Sequence, residues 1–498
     1  MPRAHELRSA SLVTIGGALA LLAGCPADDL CLPEADSERV LHVQPPTAPG
    51  PDNSTVVGTF SSIQSALDAV GDGRGRATLC VADGTYYEQL VVPADTHLVA
   101  AGSVRLRPPQ TRASALPTDV DRVLLTLESG TAGSIVVDGF DLRKGGLCVD
   151  ARGAGAVVLN DTAVVDCAVG LRARGGVDVT LHEVALEDHA IRGVDIVASS
   201  LRTESNTTLL RNGRPSTSHD QTELIELDPE LLWTAGLTPG RGALIATDSD
   251  ITLVQTFVDE SEYRGGVIDL TGGSLTLRNV ELGAQRSADN TEGFVAGESG
   301  GNGPAVAARS AQLDVDGLMA RTESQGLFSL EGGSDLKAVN VAWIGRMATT
   351  ASAGTRGPAV HADGGGSVIL WHASLLGPEG QPGLRFSGDA VTTLDLANSI
   401  VWGHDASAGL VVEGADPDLD IRYSLFQDSS VDGAQMITAL EPGWVLTGDG
   451  YVVESSSPGR CRGAGNLEVN VDLFGNPRPF EAGKAPDLGS VELQEPCP

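Results

Sequence analysis

Three carboxylates alternate in Asp416-Pro417-Asp418-Leu419-Asp420, and Arg422 follows at the same spacing. In an extended strand alternate side chains share a face, so the three acids and the guanidinium would lie together. Carboxylate oxygens in that array suit Ca²⁺. Alternating Asp is also what a solvated strand face shows, and Pro417 points to a turn at its start. A second dense group is His182, Glu183, Glu187, Asp188 and His189, which could serve acid/base or metal chemistry or simply form a polar turn.

Three tryptophans mark further candidates. Trp233 lies inside a long polar stretch, while Trp343 and Trp371 just precede later ones. Such rings can stack on sugars, or pack beneath the loops that follow them. The sequence has no Gly-rich phosphate loop, HExxH or zinc-spaced Cys/His set.

The formal charge is −33, from 33 Lys+Arg against 66 Asp+Glu, and only Lys144, Lys337 and Lys484 are lysines. Such a field repels nucleic acid, whose binding needs clustered basic residues. No cofactor is implied beyond the Ca²⁺ that the Asp416, Asp418 and Asp420 array could take.

A short apolar alternation must position all these groups, because it recurs down the chain. Copies begin at Ile135, Val157, Val179, Ile251, Leu275, Leu313, Leu336, Val368, Leu394 and Leu419. Adjacent copies without an insertion between them are 22 to 25 residues apart, and Gly-led strands such as Gly146–Val149 and Gly170–Ala173 precede them. Two or three short strands per period leave no room for a repeat helix. The expected fold is therefore all-β, a single-stranded right-handed parallel β-helix, with Val, Ile and Leu stacked inside at about 4.8 Å per coil. Asn279, Asn340 and Asn398 recur just past the alternation, where Asn accepts αL geometry at a turn. Twelve to fourteen coils would give a rod on the order of 60 Å long.

The rod's N-terminal end needs a cover. Residues 60–70 read as a short capping helix with Ile63, Leu67 and Val70 on one face, Ser61 and Gln64 as a capping box, and Gly71 as its stop. Ala77–Val81 and Gln89–Val92 read as the first strands. The repeat is interrupted at Arg211–Gly240, Gly283–Asn302, Arg346–Arg356 and Leu376–Pro382. Insertions at one point of a period emerge on one side, so these should form a wall along the rod.

The N-terminus carries Arg3 and Arg8, an apolar stretch from Leu12 to Leu22, and then Leu22-Ala23-Gly24-Cys25. That tetrapeptide resembles the lipobox of bacterial lipoproteins, which implies loss of residues 1–24 and lipidation of Cys25. Pro26, where an Asp would resemble an inner-membrane retention signal, favours the outer membrane. The implied organisation is a signal peptide over 1–24, a tether over 25–58, the capped β-helix over 59–470 and a closing segment over 471–498.

Lipidation leaves six cysteines in a compartment where disulfides persist. Cys31 with Cys80 and Cys461 with Cys497 are the expected pairs, each tying down an end. Cys148 and Cys167 are offset by three residues in a local period of 22, about 10 Å along a strand and too far to bridge unless a turn intervenes.

Ser62–Ala69, followed by Gly84-Thr85-Tyr86-Tyr87-Glu88, is similar to the opening of pectin lyase-like β-helix proteins, pectin methylesterases among them. Asp472–Pro479, followed by Pro486–Glu492, resembles the closing motif of bacterial surface β-helix lipoproteins. These motifs cover some fifty residues and imply the fold; the other pectin methylesterase elements, and the NTD, DD, GHG and RIK elements of polygalacturonases, are missing, with Gly403-His404-Asp405 only superficially like GHG. The expected function is a lipid-anchored, non-catalytic envelope protein whose loops bind a polysaccharide or an envelope partner. The alternative is a uronate lyase or glycoside hydrolase on the same fold.

Overall fold

The computed structural model describes residues 39–44, 59–71, 76–109, 123–212, 242–259, 262–263, 267–287, 304–322, 326–345, 357–377, 380–404, 409–428, 430–438, 440–447, 450–465 and 467–497. Cys25, Cys31, Trp233 and most of the long insertions lie outside that set. Parallel strands dominate, and the helix at Ile63–Gly71 is the single α-helix among the described residues.

Each coil contributes to three parallel sheets. Leu147–Arg152 represents the first, Ala156–Asn160 the second and Ala163–Val165 the third. Each pairs with the strand one coil on: Val149 with Leu171, Val157 with Val179, Val164 with Leu186. Such parallel crossovers wind right-handed.

Repeated phase makes the core. One ladder of the second sheet runs Ile135, Val157, Val179, Leu201, Ile251, Leu275, Leu313, Leu336, Val368 and Leu394 to Leu419 without a slip. Leu394 is 1% exposed, but Leu419, on the last rung, is 41% exposed because no further coil covers it. The turn from second to third sheet repeats one αL residue, including Asn279 (φ 52°), Asn340 (φ 54°), His372 (φ 54°) and Asn398 (φ 52°), as expected of the recurring asparagines. Glycine takes that place at Gly139 (φ 77°) and Gly317 (φ 79°), and a Cβ on Gly317 would lie 2.5 Å from Asn279 Oδ1.

Two boundaries differ from the sequence reading. Arg39–Val43, read as tether, is the first rung, pairing with Ala77–Val81. The helix starts at Ile63 with Ser62 as N-cap, Ser62 Oγ accepting from Ser65 N at 3.3 Å, so the cap is one residue later than Ser61. Glu88 completes it, accepting from Ile63 N at 3.1 Å and from Gln64 N and Ser62 Oγ at 2.9 Å. Gln64 instead uses its carbonyl oxygen to accept from Val91 N at 2.8 Å. The Gly-Thr-Tyr-Tyr-Glu element is thus a helix cap, and Tyr86 is a buried side chain whose hydroxyl donates to Ala82 O.

The closing segment lies against the αL turn column. Asn340 Nδ2 donates to Val471 O at 3.1 Å, Gly489 N to Asn398 O at 2.7 Å and Ser490 N to Ser374 Oγ at 2.9 Å. Its acids serve backbone donors: Asp472 those of Phe474, Asn476 and Glu492, Asp487 those of Cys461 and Leu493, and Glu492 those of Phe480 and Asp487.

Candidate functional site

The insertions share one corner of the coil. The chain leaves the third sheet at Leu210, Ser287, Gly345 and Leu376 and re-enters the first at Gly242, Val306, Val360 and Leu384. The chain likewise leaves the third sheet at Arg107 and re-enters the first at Val123, an interruption which the repeat reading did not include. The outward face of the first sheet therefore runs beside every one of these exits.

That face carries an ionic ladder. Asp150, Arg172 and Asp195 are register neighbours, as are Arg152 and Arg174. Arg172 donates to both oxygens of Asp150, at 3.0 and 2.9 Å, Arg174 approaches at 3.4 Å, and Arg152 Nε donates at 2.5 Å. Burial works to raise the Asp150 carboxyl, but the hydrogen bonds and charge of Arg172, with Arg152 and Arg174, hold it below the usual carboxylate range. Asp150 is fully buried, whereas the side chains of Arg152 and Arg174 are 40% and 38% exposed. Three guanidiniums thus converge on one carboxylate, and two of them reach solvent. Their sequence signal was readable: Asp150 to Arg172 and Arg152 to Arg174 are each one local period apart.

Further along the face, Arg309 bridges Asp269 and Glu331 at 3.0 Å each, and Arg385 donates to Glu413 at 3.2 Å. Burial raises the Asp269 carboxyl despite Arg309. His361 Nε2 and Ser387 Oγ are 3.0 Å apart, and burial, with the Arg385 charge, lowers the imidazole. Buried Asp195 is held by Arg192 at 3.0 Å.

The groups singled out in the sequence fall elsewhere. Asp416, Asp418 and Asp420 are exposed, and Asp420 is engaged by Arg422, which also reaches Asp395 at 2.8 Å. Among the described residues no three His, Cys, Asp or Glu side chains converge as a metal site. The His182 group is divided between two corners. His182 stacks over Asn160 and contacts Ser205 Oγ at 3.1 Å, while Glu187 and Asp188 pair with Arg211 at 3.1 and 2.6 Å. His189 is fully buried above Cys167, and burial pushes it down to about 3. Burial likewise takes His404 to about 4.

Trp343 is corrected outright. It is a fully buried core residue of the third sheet, stacked near His404 with ring centroids 6.2 Å apart, and offers no face to a ligand. Trp371 is half-buried on the outward side of the second sheet, with Lys337 Nζ 5.9 Å from its ring centroid.

Cys461 and Cys497 form the expected disulfide. Cys148 and Cys167 are also bonded, with Cα atoms 6.0 Å apart. The offset of three residues is not spent along a strand, because the αL residue Asp166 (φ 59°) turns the chain between Cys167 and the preceding strand. Cys80 is disulfide-bonded too, and the cysteines remaining to pair with it, Cys25 and Cys31, lie outside the described residues.

Three parallel sheets per coil, with an αL turn between second and third, define a right-handed parallel β-helix. No family model matches the chain. A curated relative, a probable pectinesterase A of Aspergillus niger, is 36% identical over 93 residues, 17% of this chain and 27% of that protein. The chain thus spans about a quarter of that relative's length. Among solved structures, the pectate lyase Pel9A aligns with 91% of this chain and 96% of its own at 12% identity and a TM-score of 0.40. PfbA, a surface adhesin of Streptococcus pneumoniae, covers 80% of this chain and 91% of its own at 12% identity and a TM-score of 0.33.

Proposed function

We propose that this protein is an exported, lipid-anchored envelope β-helix that binds an extended anionic polysaccharide along its first sheet without cleaving it. The convergence of Arg152, Arg172 and Arg174 on Asp150 carries the reading. It puts surplus guanidinium on one face of an otherwise acidic chain, and guanidinium is the group suited to carboxylate or sulfate on a polymer. Two-carboxylate hydrolysis needs both acids available to the sugar. Here Asp150, Asp195, Asp269, Glu331 and Glu413 are each committed to an arginine.

The anchor reading rests on the Leu-Ala-Gly-Cys element, with Cys25 carrying the lipid at the outer membrane. Cys25→Ser should abolish lipid labelling and free the protein from membranes; membrane-bound, unlabelled protein would contradict it. For the ligand, calorimetry with polygalacturonate and alginate should show salt-sensitive binding that weakens about tenfold in Arg152→Ala/Arg174→Ala, the equivalent of losing ~1.4 kcal/mol. Binding unchanged by that double substitution would overturn the site.

The enzyme reading draws on Asp269, a carboxyl raised by burial on the same face. Uronate release from either polymer, lost in Asp269→Asn, would replace the binding reading with that one.

A further inference from the structure

The outward face of the second sheet holds a feature independent of the guanidinium cluster. Thr276, Asp314, Lys337 and Ile369 occupy one register position on successive coils. They line a groove of about 480 Å³ together with Gln312 and Ser367. That volume falls within the roughly 300–1,000 Å³ of ligand pockets. Trp371 is two residues beyond Ile369, the last lining residue of that strand, and on the same strand face. Lys337 spans from the groove lining to the indole.

The charges here are internally balanced. Arg278 donates to Asp314 Oδ2 at 2.5 Å and to Asp314 O at 3.2 Å. Asp335, also in the lining, accepts from Ser367 N at 2.8 Å, and Lys337 supplies the second cation. Two acids against two bases give this groove no preference for an ionic ligand. What remains is a row of hydroxyl, amide and carboxylate groups beside an indole, repeating at the coil rise of about 4.8 Å, which is close to the length of one pyranose ring. Among the described residues no hydrogen-bond partner meets the buried Trp371 Nε1, so the indole presents its face and not its N–H.

We infer that this groove is a second saccharide site, taking a neutral, hydroxyl-rich glycan chain that stacks on Trp371 and is hydrogen-bonded by Lys337, Asp314 and Gln312. The incoming ring displaces the Lys337 ammonium from over the indole and receives its hydrogen bonds. This site does not depend on the anionic ligand proposed for the first sheet.

The test is calorimetric titration of the full chain with neutral hexasaccharides of glucose, mannose and N-acetylglucosamine, a readout that does not need the indole as reporter. At least one should bind saturably. Trp371→Ala should weaken it about tenfold or more, Lys337→Met by a smaller factor, and Arg152→Ala/Arg174→Ala not at all. Should Trp371→Ala fail to fold, Trp371→Leu with Lys337→Glu gives the same comparison on a strand that keeps its apolar outer side. Absence of binding by every neutral probe would overturn the site. So would binding that survives loss of Trp371, or equal binding of a uronate or deacetylated glucosamine oligomer.

Discussion

Arg478 Nη1 lies 2.5 Å from His372 Nδ1, although 106 residues separate the two. A guanidinium only donates, so Nδ1 accepts and the imidazole is neutral. Nε2 faces Asn398 Nδ2 at 3.1 Å, and that amide is oriented by its two bonds to Ala464. The one proton of the neutral ring is then on Nε2, and a second would have to go on Nδ1, against the Arg478 guanidinium, which can only donate. The arginine of the closing motif thus reads a turn residue of the coil, which gives this motif a structural purpose.

Burial, with the Arg478 charge, holds His372 well below its ordinary 6.5. His189 at about 3 and His404 at about 4 are lowered by burial as well. In each case the unfolded chain takes up the proton first, so this stability is complete above pH 6.5 and is lost as pH falls toward the folded values. Each histidine contributes a slope of at most ~1.4 kcal/mol per pH unit in that window. Amide-exchange protection across 471–497 should fall between pH 7 and pH 5. His372→Asn, which suits the αL backbone, should flatten that dependence. An identical profile in the variant would show that His372 is not the responsible group.

Glu88 should matter to stability and not to ligands. Glu88→Ala removes the acceptor for two helix N-terminal amides and for Ser62 Oγ. The expected cost is about 1–3 kcal/mol, read as earlier fraying of the capping helix in amide exchange. Glu88→Gln should recover part of it. A loss of polysaccharide binding with the cap intact would instead assign Glu88 to a site.

Much of the fold was legible because one phase is kept over many coils: Ile135, Val157 and Val179 announce their stacking by spacing alone. The first rung was not, because Arg39–Val43 is followed by the tether and helix and reaches its partner only at Ala77. The tryptophans show the limit for the site. Trp343 and Trp371 both precede an insertion, yet the αL residue Asn340 lies between the second-sheet strand and Trp343, while His372 comes after Trp371. Crossing that turn moves a side chain to another sheet with a new parity, which spacing from the insertion does not reveal. The guanidinium cluster was visible in the spacing, but only the fold shows that its members converge on Asp150.

Cys148–Cys167 closes a loop of 19 residues beneath the buried His189. Peptide mapping without reduction should recover this pair and Cys461–Cys497. Cys148→Ala/Cys167→Ala should lose on the order of 3 kcal/mol by the loop-entropy estimate. A mapped link from Cys148 to any other cysteine would contradict the coil register at this corner.

The two tryptophans should separate stability from binding. Trp343 fills the interior of the third sheet and is fully buried, so Trp343→Ala leaves a cavity and should cost about 3–5 kcal/mol. Trp371 is half-buried on an outer face, beside its register neighbours Val339 and Ala397. Trp371→Ala should therefore cost under about 1.5 kcal/mol, since little core volume is vacated. Denaturant melts of the two variants should differ accordingly, and only Trp343→Ala should expose apolar surface to a hydrophobic dye at moderate denaturant. If the order were reversed, Trp371 would be holding the second sheet together and could not be free to receive a sugar ring.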